Sequence, residues 1–393
     1  MTDKQILLLP GPTPVPPRVA LAMARPAINH RGPEFKTLWE EVNAGLKEIF
    51  QTRSEVVILT ASGTAGMEAA VTNLVSPGEK VLAVTIGAFG ERFVQICRAF
   101  GIEAEVLAFP YGQAADPGAI AERLAADTAH EIKAILVQHN ETSTGVLNDI
   151  QAISKARGSH PALLIVDSIS GLAAADLPMD AWRVDVVIAG SQKAFMLPPG
   201  LTMLAVNERA WQAAEKCTNQ RFYLDIKKAR KSGLKGQTPF TPAVSLLYGL
   251  RESLHLLQAE TLAGSFARHV LMRDMVRAGA RALGLKLLAG DDVASPAVTA
   301  ICVPEGMKPA DVINPLREKY GVVVAGGQGT VKDRVFRFGH LGYVSFNDIL
   351  AGLAALEAVL LDAGVSVTRG AAVAAASAVM REGMAVDIET IAS

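Results

Sequence analysis

Cysteine is scarce in this chain: Cys97, Cys217 and Cys302 are the only three in 393 residues, and no two form a CxxC pair. That argues against a disulfide framework or a zinc site and fits a reducing compartment. Excess charge of either sign is missing. With 38 basic and 39 acidic residues the formal net charge is -1, which leaves no electrostatic footprint for nucleic acid or an anionic membrane. Long apolar runs are absent too, since Gly, Pro or a charge interrupts each one before it reaches membrane-spanning length. The stretch "QILLLP" ahead of Pro10 is too short for a signal-peptide core, and the final "IAS" matches no retention or peroxisomal address. No GxxxxGK[ST] occurs, and "GGQG" at 326–329 lacks the strand–GxGxxG–helix setting of a dinucleotide site. A cytoplasmic protein is the expectation.

What is present reads as globular: 50% of residues are hydrophobic and 20% charged. The length exceeds what one hydrophobic core usually organises, so two structural units are expected. The opening "LLLPGPTPVPPR" carries five prolines and cannot be regular helix, so residues 1–20 read as an extended arm laid over something else, a partner subunit being one candidate. "EFKTLWEEVNAGLKEIF" spaces Phe35, Leu38, Trp39, Val42, Leu46, Ile49 and Phe50 as one helical face. Strand candidates follow at 56–59, 81–84, 134–138, 163–166, 186–188 and 201–206, alternating with amphipathic stretches. The pattern is helical over 243–283, and a second mixed segment has strands near 298–303 and 335–338 and helices near 346–362 and 369–382. We divide the chain into the arm, a large domain at 21–258 and a smaller α/β domain at 259–393.

Strands without polar alternation are buried on both faces, as in a mostly parallel sheet flanked by helices, and such sheets bind ligands at the carboxyl ends of their strands. The polar residues gather there. Thr60-Ala61-Ser62-Gly63-Thr64 follows the first run, His139-Asn140-Glu141-Thr142-Ser143-Thr144-Gly145 the third, Asp167-Ser168 the fourth and Gly190-Ser191-Gln192-Lys193 the fifth. A lysine at a strand mouth either snorkels to water or is held for its chemistry. Asp167 either pairs with that lysine, caps a helix, or serves a ligand, because an unpaired carboxylate is expensive to bury. Ser62-Gly63-Thr64 is either an ordinary N-cap or a phosphate cup. Taken together, a carboxylate for a ring nitrogen, a lysine for an aldehyde and a phosphate cup meet the needs of pyridoxal 5'-phosphate (PLP). No metal site is read from the sequence.

"ASGTAGMEAA", "HNETSTGVLNDI", "LLIVDSISGLAAADLPMD" and "AGSQKAFMLPPGL", in this order, resemble the class V aminotransferases, fold-type I PLP enzymes, and within them the alanine/serine–glyoxylate aminotransferases. The resemblance runs from "LLLPGPTPVPPR" to "RFGHLG". It implies that Lys193 is the Schiff-base lysine, and that Asp167 holds the pyridine nitrogen protonated. Phe89 takes the place of the stacking aromatic, often Trp or Tyr in the family, and Thr142 contacts the ring-oxygen side. Ser62, Gly63 and Thr64, with Gln192 nearby, form the phosphate turn. Thr241 matches a residue that reaches the phosphate from the neighbouring subunit, which implies a homodimer with shared sites; Thr238 falls where some members carry Tyr. Arg337 in "RVFRFGHLG" matches the arginine that grips the substrate carboxylate through a bidentate fork.

The expected function is therefore transfer of an amino group from alanine or serine to a 2-oxo acid such as glyoxylate or pyruvate, by ping-pong kinetics. His30 and Arg31 are candidates for a second cation at the site, which would suit aspartate or an aminophosphonate as donor. A cysteine desulfurase or lyase on the same fold is a rival, although Gln rather than His precedes Lys193 and Cys302 lies in the apolar "VTAICVP". A non-catalytic binding subunit is the other.

Overall fold

The computed structural model describes residues 5–392; residues 1–4 of the expected arm and residue 393 lie outside it. The short strand β1 (Ile6–Leu7) is followed by helices α1 (Pro17–Met23) and α2 (Pro33–Ile49). The extended run stops at Pro16, because Pro17 occupies the first helical position, where its fixed φ and missing N–H are tolerated. Helix α2 buries Phe35, Leu38, Trp39, Val42, Leu46 and Ile49, the stripe that its spacing predicts.

Strands and helices then alternate through β2 (Glu55–Leu59), α3 (Gly63–Leu74), β3 (Lys80–Thr85), α4 (Ala88–Ala99), β4 (Glu103–Ala108), α5 (Pro117–Ala126) and β5 (Ile132–Gln138). A hairpin of β6 (Asn140–Glu141) and β7 (Val146–Leu147) leads into α6 (Ile150–Arg157), β8 (Leu163–Asp167), β9 (Val186–Gly190) and β10 (Thr202–Val206). Seven of these strands make one sheet in the order β2-β10-β9-β8-β5-β3-β4. Strand β10 runs antiparallel to β2 and β9, and the other pairs are parallel. Alternate side chains of β2 bury against the two faces: Val56 and Ile58 in the core beneath α2, Val57 and Leu59 in the core with α3. Strand β4 is absent from the sequence reading because "EAEVLA" alternates exposed and half-buried residues at the sheet edge, without an apolar run.

Helices α7 (Glu208–Lys216) and α8 (Ile226–Gly233) precede α9 (Val244–Glu260) and α10 (Leu262–Ala282). The helical stretch expected at 243–283 is thus two helices, separated at Thr261, whose φ is 68° and whose hydroxyl caps α10 by accepting the Gly264 N–H at 3.1 Å. The C-terminal region contains β11 (Val298–Cys302), α11 (Pro309–Tyr320), β12 (Val322–Val323), β13 (Ala325–Gly326), β14 (Val335–Gly339), α12 (Phe346–Asp362) and α13 (Ala371–Ala392). The antiparallel sheet β11-β14-β13 packs its own core around Ile301, Phe336, Phe338, Leu353 and Leu356. Leu8 belongs to that core, and β1 pairs in parallel with β12. The arm, read as laid over something else, thus pairs at its start with its own chain. Among the described residues no helix is long and apolar enough to cross a membrane.

Candidate active site

The topology brings the predicted turns to one edge. Thr202 at the start of β10 pairs with Leu59 at the end of β2 and with Gly190 at the end of β9, so the antiparallel strand sets these two ends side by side. Helix α3 then lies directly on the sheet. A Cβ on Gly66 would stand 2.8 Å from Ile188 Cγ2 and closer still to Thr202 Oγ1, so only glycine permits this approach. Ser62 occupies the N-cap position of α3 in extended conformation, yet its side chain makes no capping bond. The hydroxyl and the unpaired N–H groups of the first turn, which include Gly63 and Thr64, are thus free for an anion at the positive end of the helix.

Asp167 ends β8 and is 4% exposed. It neither pairs with Lys193 nor caps a helix: Oδ1 accepts the Ile169 N–H at 2.9 Å, and Oδ2 has no partner among the described residues. Burial pushes its carboxyl up to about 7, helped by the Glu141 charge and opposed by the Ile169 N–H, Arg92 and Lys193. Lys193 does not snorkel. Its Nζ donates to the Pro10 carbonyl of the arm, and burial brings the amine down to about 8, with Arg337 adding to the effect and Asp167 opposing it. An amine in that range supplies free base near neutral pH far better than an exposed lysine.

The hairpin after β5 organises the other side. Glu141, fully buried, accepts the Phe89 and Gly90 N–H groups through Oε2 at 3.0 and 3.1 Å. Its Oε1 accepts both the Ser143 N–H at 3.0 Å and the Ser143 hydroxyl at 2.6 Å. It thereby fixes the N-terminus of α4, which carries Phe89, while burial holds its own carboxyl above the usual range, opposed by the Ser143, Gly90 and Phe89 donors. Arg92, one turn further on, lies with its guanidinium 4.5 Å from the Phe89 ring centroid and donates to Thr64 Oγ1 at 3.3 Å. Thr142 shares a hydrogen bond with Ser170 Oγ at 2.6 Å, and its carbonyl accepts from Arg337 Nη1 at 3.2 Å. Arg337, on β14, also donates through Nε to the Gly326 carbonyl at 2.8 Å, while Nη2 has no acceptor among the described residues. Burial lowers the Arg337 guanidinium to about 10 against the pull of Glu141, and it stays charged at neutral pH.

Contacts thus link these residues at the carboxyl end of the sheet: Phe89 and Thr64 through Arg92, Thr142 to Arg337, Gly63 to Gln192 across Gly190, and Lys193 to the charges of Asp167 and Arg337. Thr238 and Thr241 do not join them within the chain. Thr238 turns its hydroxyl to the Phe240 carbonyl at 2.7 Å, and Thr241 is exposed beside the Thr60 end of β2. Arg31 donates to the Thr238 carbonyl at 2.6 Å and so steadies that segment. The second guanidinium acting on Lys193, besides Arg337, is that of Arg92. Sequence reasoning missed Arg92, Glu141 and the arm's Pro10. Glu141 stood in the quoted "HNETSTG", but nothing local marks its bonds to α4.

The donor set suits PLP. Gln192 Oε1 is buried without a partner, and a Cβ on Gly190 would lie 3.3 Å from it and 3.7 Å from Gly63 Cα, which places that amide at the phosphate turn, where exchanging its oxygen and nitrogen by a flip presents an N–H donor to a phosphate. Asp167 keeps an unused oxygen for a ring nitrogen, and Arg337 an unused nitrogen for a carboxylate. Cys302, the thiol considered for desulfurase chemistry, sits on β11 opposite Val335 with its pKa raised by burial. Among the described residues no group of three or more His, Cys, Asp and Glu is arranged to hold a metal ion.

The family described as aminotransferase class-V matches residues 10–351. The chain is 43% identical over 382 residues to a protein named soluble hydrogenase, small subunit, of Synechococcus sp. (strain PCC 6716), covering 97% of this chain and 99% of that one. It is 39% identical over 385 residues to the serine–glyoxylate aminotransferase of Methylorubrum extorquens, with 96% of each chain covered. Among solved structures, the ureidoglycine-glyoxylate aminotransferase of Bacillus subtilis superposes with a TM-score of 0.91 at 29% identity, covering 97% of this chain and 99% of that chain. This chain belongs to the class V aminotransferases and is a PLP-dependent transaminase of fold type I.

Proposed function

We propose that the enzyme moves the amino group of a small amino acid, alanine or serine, to a 2-oxo acid, with glyoxylate as the favoured acceptor. Arg337 carries this reading: one buried guanidinium with one free nitrogen offers a single built carboxylate anchor. Glyoxylate stands in the names of two of the similar proteins described above, which supports it as acceptor. When bound, PLP supplies an aldehyde for the amino group and a protonated ring that withdraws the electron pair left at Cα.

The protein's own groups do the rest. Arg337 orients the donor by its carboxylate. Lys193 would hold the aldehyde at rest and, as a free amine, would take the proton from the donor's Cα and give it back as general acid. Asp167 would keep the ring nitrogen protonated. Ser62, Gly63, Thr64 and Gln192 would hold the phosphate, Phe89 would support the ring, and Thr142 would serve the ring-oxygen side. Thr241, with Thr238 beside it, reaches the phosphate of a neighbouring subunit in a homodimer. A cytoplasmic location completes the proposal, supported by three free cysteines.

A second reading has an acidic donor, aspartate or an aminophosphonate, and rests on Arg92, whose charge acts on both Lys193 and Asp167. Assay of purified protein with alanine, serine, aspartate and an aminophosphonate against glyoxylate and pyruvate decides between them. Serine or alanine with glyoxylate should give the highest kcat/KM, and Lys193→Ala should lower kcat at least about a thousandfold. Preference for the acidic donors, lost in Arg92→Gln, establishes the second reading; full turnover in Lys193→Ala overturns both.

A further inference from the structure

The arm passes over the reactive lysine and is tied on both sides of it. Upstream, the Leu8 N–H donates to the Val323 carbonyl at 2.8 Å, and the Leu8 carbonyl accepts from the Gly339 N–H at 2.7 Å. Gly339 lies on β14, two residues beyond Arg337. Downstream, the Thr13 N–H donates to the Gln192 carbonyl at 3.2 Å and the Thr13 hydroxyl to the Lys193 carbonyl at 3.0 Å. Between these ties the Pro10 carbonyl receives Lys193 Nζ. Gly11 follows, with φ at 120°, and a Cβ there would stand 2.7 Å from both Cδ and Cε of Lys193 and closer to Nζ. The segment therefore touches the strand that carries Arg337 and the lysine that does the chemistry.

We propose that residues 8–13 form a positioning strap for Lys193: the Pro10 carbonyl holds the amine whenever it has no covalent partner, and Gly11 leaves the room this position needs. The inference rests on the transaminase reading for its purpose, because only an enzyme that releases and recaptures the lysine needs a place to keep it. Its physics is independent of turnover. A carbonyl acceptor favours the charged amine, in a site where Arg337 from β14 and Arg92 from α4 disfavour it and Asp167 from β8 favours it. Without that acceptor a half-buried ammonium has lost a charge-assisted bond and gives up its proton more readily.

The test uses the full chain loaded with pyridoxamine 5'-phosphate, in which Lys193 is not covalently engaged. The pH dependence of Lys193 acetylation by acetic anhydride is read by mass spectrometry. In Gly11→Ala the added methyl drives the side chain off Pro10, and the midpoint should fall by about one pH unit. The pyridoxamine half-reaction with glyoxylate should slow about tenfold, following the same lost bond. Thr13→Val, which cuts the tie to the Lys193 carbonyl without changing the backbone, should shift the midpoint in the same direction by less. Midpoints equal to wild type in both variants overturn the strap; if Gly11→Ala does not fold, an unchanged Thr13→Val midpoint does so alone. Should the chain bind no cofactor, the same labelling of the ligand-free chain still reads the strap, while the transaminase reading fails.

Discussion

At the residue scale, burial sets the charge states on which the chemistry depends. Asp167 holds its proton up to about 7 in the folded chain against 3.8 in the unfolded one, because it is out of water with the Glu141 charge nearby. The folded state therefore binds the extra proton between these values, so the stability that Asp167 contributes is full below about pH 4 and is lost as pH rises through 7. At about 1.4 kcal/mol per pH unit the whole loss is about 4 kcal/mol. Lys193 acts in the opposite sense higher up: folded it releases its proton near 8, unfolded near 10.5, so its cost fades as pH rises across that window. Urea unfolding of cofactor-free protein at pH 5 and pH 8 should show the first slope in wild type and a flatter one in Asp167→Asn. The same variant should lose at least about 100-fold in kcat, since a neutral amide cannot keep the ring nitrogen protonated. An equal slope in both proteins would assign the pH dependence elsewhere. The positions of Asp167 and Lys193 were legible in sequence, because each ends an apolar run and the strand mouth is where such sheets bind. Their proton affinities were not, because they depend on Glu141, Arg92 and Arg337, which arrive from other elements.

At the element scale, α4 and the β6–β7 hairpin behave as one unit. Helix α4 begins at Ala88 with no side-chain cap on Gly87, and the capping is done from afar by Glu141 and Ser143, whose hydroxyl accepts the Ala88 N–H at 3.0 Å. The ring of Phe89, proposed to stack on the cofactor, is aimed by these bonds. Glu141→Ala leaves buried N–H groups without acceptors and should cost about 3 kcal/mol or more, read as a lowered urea midpoint. Glu141→Gln keeps the volume but can accept through only one atom, and it removes a charge that supports Arg337 and opposes ionisation of Asp167. It should weaken PLP binding about tenfold in an absorbance titration and lower the pH at which Asp167 ionises. A variant with altered stability and an unchanged pH profile would reduce Glu141 to a structural cap. Local sequence pattern finds caps that lie beside the helix they serve, and this one is more than fifty residues away.

At the scale of the whole molecule, the doubly flanked sheet was legible because its strands are apolar on both faces, whereas the direction of β10 and the edge strand β4 carry no such mark. The arm shows the same limit: five prolines announce an extended segment but not the surface that it covers. Within one chain the proposed phosphate end of the site is built without Thr241. Thr241 is exposed and bonds to no part of its own Ser62–Thr64 turn, while Arg31 holds the preceding segment in place. The proposed dimer resolves this if each chain completes its neighbour's site, and mixed dimers test it. Lys193→Ala homodimers lack the reactive amine. Thr241→Val homodimers lose a charge-assisted bond to phosphate worth about 1.5–3 kcal/mol and should be largely free of cofactor at limiting PLP. Refolding the two together places both lesions in one site and leaves the other intact, with Lys193 from one chain and Thr241 from the other. Turnover at limiting PLP should then appear in the mixture and approach half the wild-type value per hybrid dimer. If Thr241 serves the site of its own chain, each hybrid site carries one lesion and mixing restores nothing.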